Sequence, residues 1–309
     1  MKIKVVFWGT PDIGLKSLDY LHNSDKFDVI GVVTQPDRPS GRGHKIVASP
    51  IKQYAVANNI PVFQPKSIRK ELDIQALIKE LNADFFVTFA FGQILPQEIL
   101  DMPKYETINL HASLLPKYRG ANPIQRCIIN GDKQTGICTM ITELGLDCGD
   151  ICIKCPIDIS ETMNCEELYE TISEKSPQLI EETLLGIVEG SLTPQKQCED
   201  GVCFANKLTP EEFKIDWSKS AQEIHNLVRG IYKSPSASFI YNDKIVKVLE
   251  TSVLDETTSM PAGQIVRGSK LGVDFATGDG VLRLIKVKPE SKGEMFARDW
   301  YNGLGGAKK

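Results

Sequence analysis

Strand–helix alternation over the first two hundred residues, followed by a run of closely spaced short strands, predicts an α/β fold in two parts. The first is a Rossmann-like domain with a mostly parallel sheet, and the second a small OB-like β-barrel. Strands are read at 3–8, 29–34, 84–89, 107–110 and 136–141, each a short apolar run bounded by turn residues. Helix starts lie between them. Thr10-Pro11 offers a capping hydroxyl before a helix-opening proline, with Ile13, Leu15, Leu18 and Leu21 behind it, and Ser49-Pro50 repeats the device. Asn164 with Glu167 has N-cap spacing, and a helical pattern runs on to Gly190, with Pro177 as a point of kinking or breakage. Residues 191–206 carry little periodicity and read as a linker. Ser220-Ala-Gln-Glu223 is a capping box opening a helix with Ile224, Leu227, Val228 and Ile231 on one side. Short strands follow at 237–241, 245–251, 263–266, 271–276 and 281–287. The expected domains are therefore 1–190 and 207–309.

Composition narrows the class. The 309 residues are 41 % hydrophobic and 25 % charged, as in ordinary globular proteins. No apolar run approaches the roughly 18 residues of a membrane helix, and the start of the chain is too soon punctuated for a signal peptide. A soluble, cytoplasmic, monomeric protein without membrane association is expected. All eight cysteines fall between Cys127 and Cys203, too dilute for a disulfide scaffold. Cys152 and Cys155 form a CxxC, but on a strand positions three apart point to opposite faces, so packing rather than metal binding is expected. The net charge of −4 divides unevenly: residues 1–206 carry −7 and residues 207–309 carry +3. A polyanionic partner would favour the C-terminal third.

Three segments carry chemistry. Asn109-Leu-His111-Ala-Ser113-Leu-Leu-Pro116-Lys-Tyr-Arg119-Gly120 follows a predicted strand, and Asn109 and His111, two apart, point the same way on an extended chain. Leu144-Gly-Leu-Asp147-Cys-Gly-Asp150 is a glycine-flanked loop offering acids. Residues 35–45 form a Gly- and Pro-rich basic loop. Singly, each is an ordinary structural feature; their conjunction carries the weight. Gly9-Thr-Pro-Asp-Ile-Gly14 is not a dinucleotide fingerprint, because Pro11 stands where the second glycine is needed.

The conjunction resembles the methionyl-tRNA formyltransferase family of folate-dependent enzymes over essentially the whole chain. The resemblance implies a catalytic set of Asn109, His111 and Asp147. It implies folate contact by Phe89, Phe91, Gly92, Gln93, Ile94 and Leu95, and by Ser113, Leu114, Leu115 and Pro116. Residues 35–45 match the insertion that marks the tRNA enzyme, with Arg38, Arg42, His44 and Lys45 as tRNA contacts. Asp216-Trp217 and residues 276–280 match in the tail, which in that family is an OB-like tRNA-binding domain. The implied reaction moves the formyl group of 10-formyltetrahydrofolate, a consumed cosubstrate, to the α-amino group of methionyl initiator tRNA for translation initiation, without a metal. Asn109 would donate to the oxyanion, His111 would do the same or protonate the departing N10, and Asp147 would orient His111 or take the amine's proton, directly or through water.

The chain departs from the family pattern in three places: at Ile13, over residues 232–236, and at Glu294 in a stretch that tends to be basic. Two alternatives stay open: a formyltransferase acting on a small amine (a sugar nucleotide or glycinamide ribonucleotide, with a formate-releasing hydrolase as a variant), and a catalytically silent RNA-binding module.

Overall fold

Val5, Val6, Phe7 and Trp8 are all fully buried, as are Phe85 and Val87. Runs apolar on both faces mark interior strands of a sheet covered on two sides. A computed structural model describes residues 1–40 and 45–305, which divide into two compact units. The first comprises Met1–Gly120, Gln134–Asp158 and Tyr169–Phe204; the second comprises Ala121–Lys133, Ile159–Leu168 and the chain from Ala205 on.

In the first unit seven strands lie in the order Ile151–Asp158, Gln134–Ile141, Glu106–His111, Phe85–Phe89, Ile3–Gly9, Phe27–Val33, Val62–Phe63. Strands from Glu106–His111 to Val62–Phe63 pair in parallel, and the first two join antiparallel. The order reverses between Ile3–Gly9 and Phe85–Phe89, the kind of switch point where open α/β sheets bind ligands beyond the strand ends.

Local signals were met in most places. Ser49 Oγ accepts the Lys52 N–H at 3.1 Å, and Asn164 Oδ1 accepts from Glu166 and Glu167 N–H while Glu167 accepts the Asn164 N–H. Thr10 does not cap. Its hydroxyl donates to the Phe91 carbonyl at 3.1 Å and accepts the Gln35 N–H at 3.3 Å, tying three strand ends together. The helix Leu15–Asn23 starts instead from a 3₁₀ turn at Asp12–Gly14. Pro177 does not break the helix Cys165–Glu189. A proline there cannot donate to the Ser173 carbonyl, and the Ser176 hydroxyl does so in its place at 2.9 Å.

Of residues 191–206, read as a linker, 191–204 run within the first unit and 205–206 in the second. Gln195 exchanges backbone hydrogen bonds with Ile151, and Arg119 N–H donates to the Cys203 carbonyl at 2.9 Å.

The second unit holds an antiparallel sheet in the order Ala237–Tyr241, Lys244–Leu254, Val281–Pro289, Gly272–Ala276, Ile265–Ser269, with Met295–Phe296 also on Val281–Pro289. The helix Ala221–Gly230 opens with the expected Ser220–Glu223 capping box and packs Ile224 and Val228 into the core. The helix Ala297–Gly303, which no sequence signal announced, adds Trp300.

His225, on Ala221–Gly230, is buried with Nδ1 2.8 Å from Thr251 Oγ1 and Nε2 3.0 Å from the Glu161 carbonyl. Burial holds its pKa below the ordinary 6.5. The unfolded chain therefore takes up this proton at a higher pH than the folded one, so stability from neutral His225 is complete above about pH 6.5 and is lost as pH falls toward the folded value. Urea unfolding between about pH 7 and pH 5 should show a shallower loss of stability in His225→Gln than in wild type. An identical slope in both proteins would remove His225 as a source.

Candidate active site

Asn109 and His111 close the strand Glu106–His111 at the switch-point end of the sheet. Asn109 lies opposite Thr88 on the neighbouring strand, whose hydroxyl donates to Asn109 Oδ1 at 2.7 Å. With its oxygen taken, the amide presents its N–H groups elsewhere.

His111 is buried, and its Nε2 lies 2.9 Å from the Tyr118 carbonyl. A carbonyl only accepts, so Nε2 carries the proton and donates it. In the neutral ring Nδ1 is then the lone-pair nitrogen, and it faces Asp147 Oδ2 at 3.6 Å. That gap is too long for a direct hydrogen bond. The expected donation of a neutral imidazole N–H to an oxyanion is thus not available from this tautomer, because Tyr118 holds that proton.

Asp147 has a left-handed backbone, φ 47°, and its Oδ2 accepts the Gly120 N–H at 2.8 Å. One short segment, Tyr118–Gly120, therefore orients both members of the pair. Gln197 reaches the same loop, donating to the carbonyls of Asp147 and Gly149 at 2.8 Å each.

These features lie in a chain that matches the formyl transferase family model over residues 1–184 and the formyl transferase C-terminal domain model over residues 207–305. The methionyl-tRNA formyltransferases of Clostridium perfringens and Clostridioides difficile are each 44 % identical to it over 301 residues, covering 97 % of both chains. The chain belongs to the methionyl-tRNA formyltransferase family. It is accordingly a formyltransferase. Solved structures agree on the fold. An N-formyltransferase from Helicobacter canadensis, in complex with folinic acid and dTDP-3-aminofucose, superposes with TM-score 0.66 at 21 % identity over 91 % of this chain and 98 % of that one. HypX from Aquifex aeolicus, in complex with tetrahydrofolic acid, gives 0.64 at 15 % identity over 98 % of this chain and 48 % of HypX.

Set in this formyltransferase frame, the segments expected to meet folate leave the ends of the adjacent strands Phe85–Phe89 and Glu106–His111. Phe89, Phe91, Leu95, Ser113 and Leu115 are buried, so they shape the floor beneath these segments and offer little surface of their own. Phe91 and Leu95 pack with Trp8 in the core. Leu115 packs with Cys138 and Met140, its carbonyl held by Lys154 Nζ at 2.6 Å. Gln93 is spent on the chain, accepting from Ile68 N–H and donating to the Pro65 carbonyl. Leu114 and Pro116 are half-buried, whereas Gly92 and Ile94 are exposed. Leu144 and Leu146, just before Asp147, are more than half exposed and were not singled out from sequence. They leave an apolar surface open to water beside the Asp147 carboxylate.

Of the residues expected to touch tRNA, Arg38 is exposed and donates to Gln35 Oε1 at 3.1 Å. The strand Arg38–Ser40 pairs antiparallel with Lys45–Val47. Its base is anchored by Lys52 and Gln64 on Asp37, whose carboxyl they hold below the usual range. Arg42 and His44, and the Lys45 side chain, lie outside the described residues.

Burial pushes the thiol of Cys152, the first cysteine of the CxxC, up to about 12, and that of the neighbouring-strand Cys138 up to about 11. Among the described residues no cluster of three His, Cys, Asp or Glu side chains could hold a metal ion, and no helix is long and apolar enough to cross a membrane.

Proposed function

We propose that this enzyme transfers the formyl group of 10-formyltetrahydrofolate to the α-amino group of methionyl initiator tRNA, giving N-formylmethionyl-tRNA. The observation that carries the proposal is the His111–Asp147 pair at the sheet's switch-point end, in a chain so similar to named methionyl-tRNA formyltransferases along its whole length.

Each residue's part follows from its bonds. The amine nitrogen bonds to the formyl carbon, whose oxygen gains negative charge. Asn109, its Oδ1 held by Thr88, donates amide N–H to that oxygen; a fixed donor of this kind typically contributes about 10²–10³ in rate. His111 Nδ1 takes the proton from the amine. The imidazolium so formed faces Asp147 Oδ2, which stabilises it and keeps the ring in place. The proton then passes from Nδ1 to the departing folate nitrogen as its bond to the formyl carbon breaks, and the ring returns to neutral. Protons and charge balance without a covalent enzyme intermediate.

Arg38, Arg42, His44 and Lys45 would meet the acceptor end of the tRNA, and the net-positive residues 207–309 would track its phosphates. Binding of tRNA should weaken with salt, log Kd rising linearly with log salt concentration at a slope of several, about 0.7–0.9 per phosphate contact. A flat response would argue for a small acceptor.

The deciding assay supplies 10-formyltetrahydrofolate with methionyl initiator tRNA, elongator tRNA and small amines in parallel. Formylated methionyl initiator tRNA as the main product is expected. Faster turnover of a free amine, or none with any acceptor, would overturn the proposal. In the same assay Thr88→Val should lower kcat about tenfold with little change in folate affinity, since it frees the amide of Asn109 to rotate.

A further inference from the structure

Gln197 lies outside the catalytic segments, fifty residues beyond Asp147, yet its side-chain amide is fully committed. Nε2 donates to the carbonyls of Asp147 and Gly149, both at 2.8 Å. Oε1 accepts from Arg119 Nε at 3.1 Å and Nη2 at 2.9 Å. An arginine only donates, so it fixes which end of the Gln197 amide faces it and turns the N–H groups onto the loop. Arg119 is itself more than nine-tenths buried, and the ion pairs among the described residues do not include it. Two nitrogens of its guanidinium, Nε and Nη2, converge on this one oxygen.

The loop so held needs holding. Asp147 adopts φ 47°, a left-handed conformation that a residue with a Cβ takes at a cost. Gly149 lies so close to the neighbouring strand that a Cβ there would fall 2.0 Å from the Ile141 carbonyl, so no other residue fits in this loop as it is held. Arg119 also sits between the two residues that orient the reactive pair, Tyr118 on His111 and Gly120 on Asp147. We infer that Arg119 and Gln197 form a clamp, Gln197 being a positioning residue that holds Asp147 opposite His111 Nδ1 during formyl transfer. This rests on the reaction proposed above for that pair.

The test compares Gln197→Met, which keeps the volume and removes all four hydrogen bonds, with Gln197→Glu, which keeps the bonds to Arg119 but turns a carboxylate on the two carbonyls. Each is made in wild type and in Asp147→Asn, and kcat for formyl transfer is measured beside melting temperature. Both should lose about 10–30-fold in wild type and no more than about threefold in Asp147→Asn, because a positioning residue has nothing left to position. A purely structural role would lower both backgrounds equally. Exchange of the Gly120 amide proton, followed by NMR, gives a readout that needs no substrate. Its protection should fall in Gln197→Met as Asp147 Oδ2 releases that N–H. Unchanged Gly120 protection, kcat within twofold of wild type, or equal losses in the two backgrounds would each overturn the clamp. The reading of the reaction stands or falls separately, on the wild-type enzyme's own turnover.

Discussion

Asp147→Asn and His111→Ala should each lower kcat/KM for formylation of methionyl-tRNA by at least about 10², while melting temperature and folate affinity stay near wild type. Asparagine retains an oxygen for the Gly120 N–H but brings no charge to the imidazolium that forms 3.6 Å away. Alanine at 111 removes the proton carrier altogether and leaves the Tyr118 carbonyl to another partner. The two residues move one proton together, so their losses should not add. The double variant should fall within about threefold of the worse single one, as happens when members of one catalytic unit are removed in turn. Steady-state kinetics over a range of tRNA concentrations at saturating folate decide the matter. Activity within tenfold of wild type in either single variant would remove the pair from the chemistry, and multiplicative losses would make them independent.

How much of this was legible in the sequence depended on the reach of each signal. The strands Ile3–Gly9 and Phe85–Phe89 announce themselves, because Val5–Trp8 and Phe85–Val87 are consecutive apolar residues buried on both faces. The Ser49, Asn164 and Ser220 caps are local devices closed within three residues, and each formed. Thr10-Pro11 carries the same local signature, but its hydroxyl is drawn to a carbonyl 81 residues away. Ser176, one residue before Pro177, is the compensation that keeps that helix whole. Asn109, His111 and Asp147 were singled out by resemblance; what sets the tautomer of His111 could not be, since it depends on a backbone carbonyl and has no letter in the sequence. Gln197 was passed over as linker for the same reason: its partners are loop carbonyls fifty and forty-eight residues distant, and nothing in residues 191–206 is periodic.

Asp274 is the one charged residue among those described that is wholly shut off from solvent, and its removal should destabilise the second unit by about 3–5 kcal/mol. It sits fully buried in the strand Gly272–Ala276, whose five residues are all buried. The register sets Arg283 directly opposite on one neighbouring strand and Arg267 on the other. Arg283 binds the carboxylate with two parallel bonds, Nε to Oδ1 at 2.7 Å and Nη2 to Oδ2 at 2.9 Å, and Arg267 Nε adds a third at 2.9 Å. The carboxylate raises the Arg283 pKa, so the guanidinium is held charged where little water reaches it. In Asp274→Ala that cation loses its partner in place, and desolvation without compensation is the expensive case. Arg267 suffers less, because it is half exposed and keeps Glu256 at 2.7 Å. If the cost is the orphaned charge and not the missing volume, removing both ends should recover most of it. Asp274→Leu with Arg283→Met should therefore unfold in urea closer to wild type than Asp274→Leu alone. A double variant no better than the single one would show that this triad contributes net stability, and is more than a charge arrangement that must not be broken halfway.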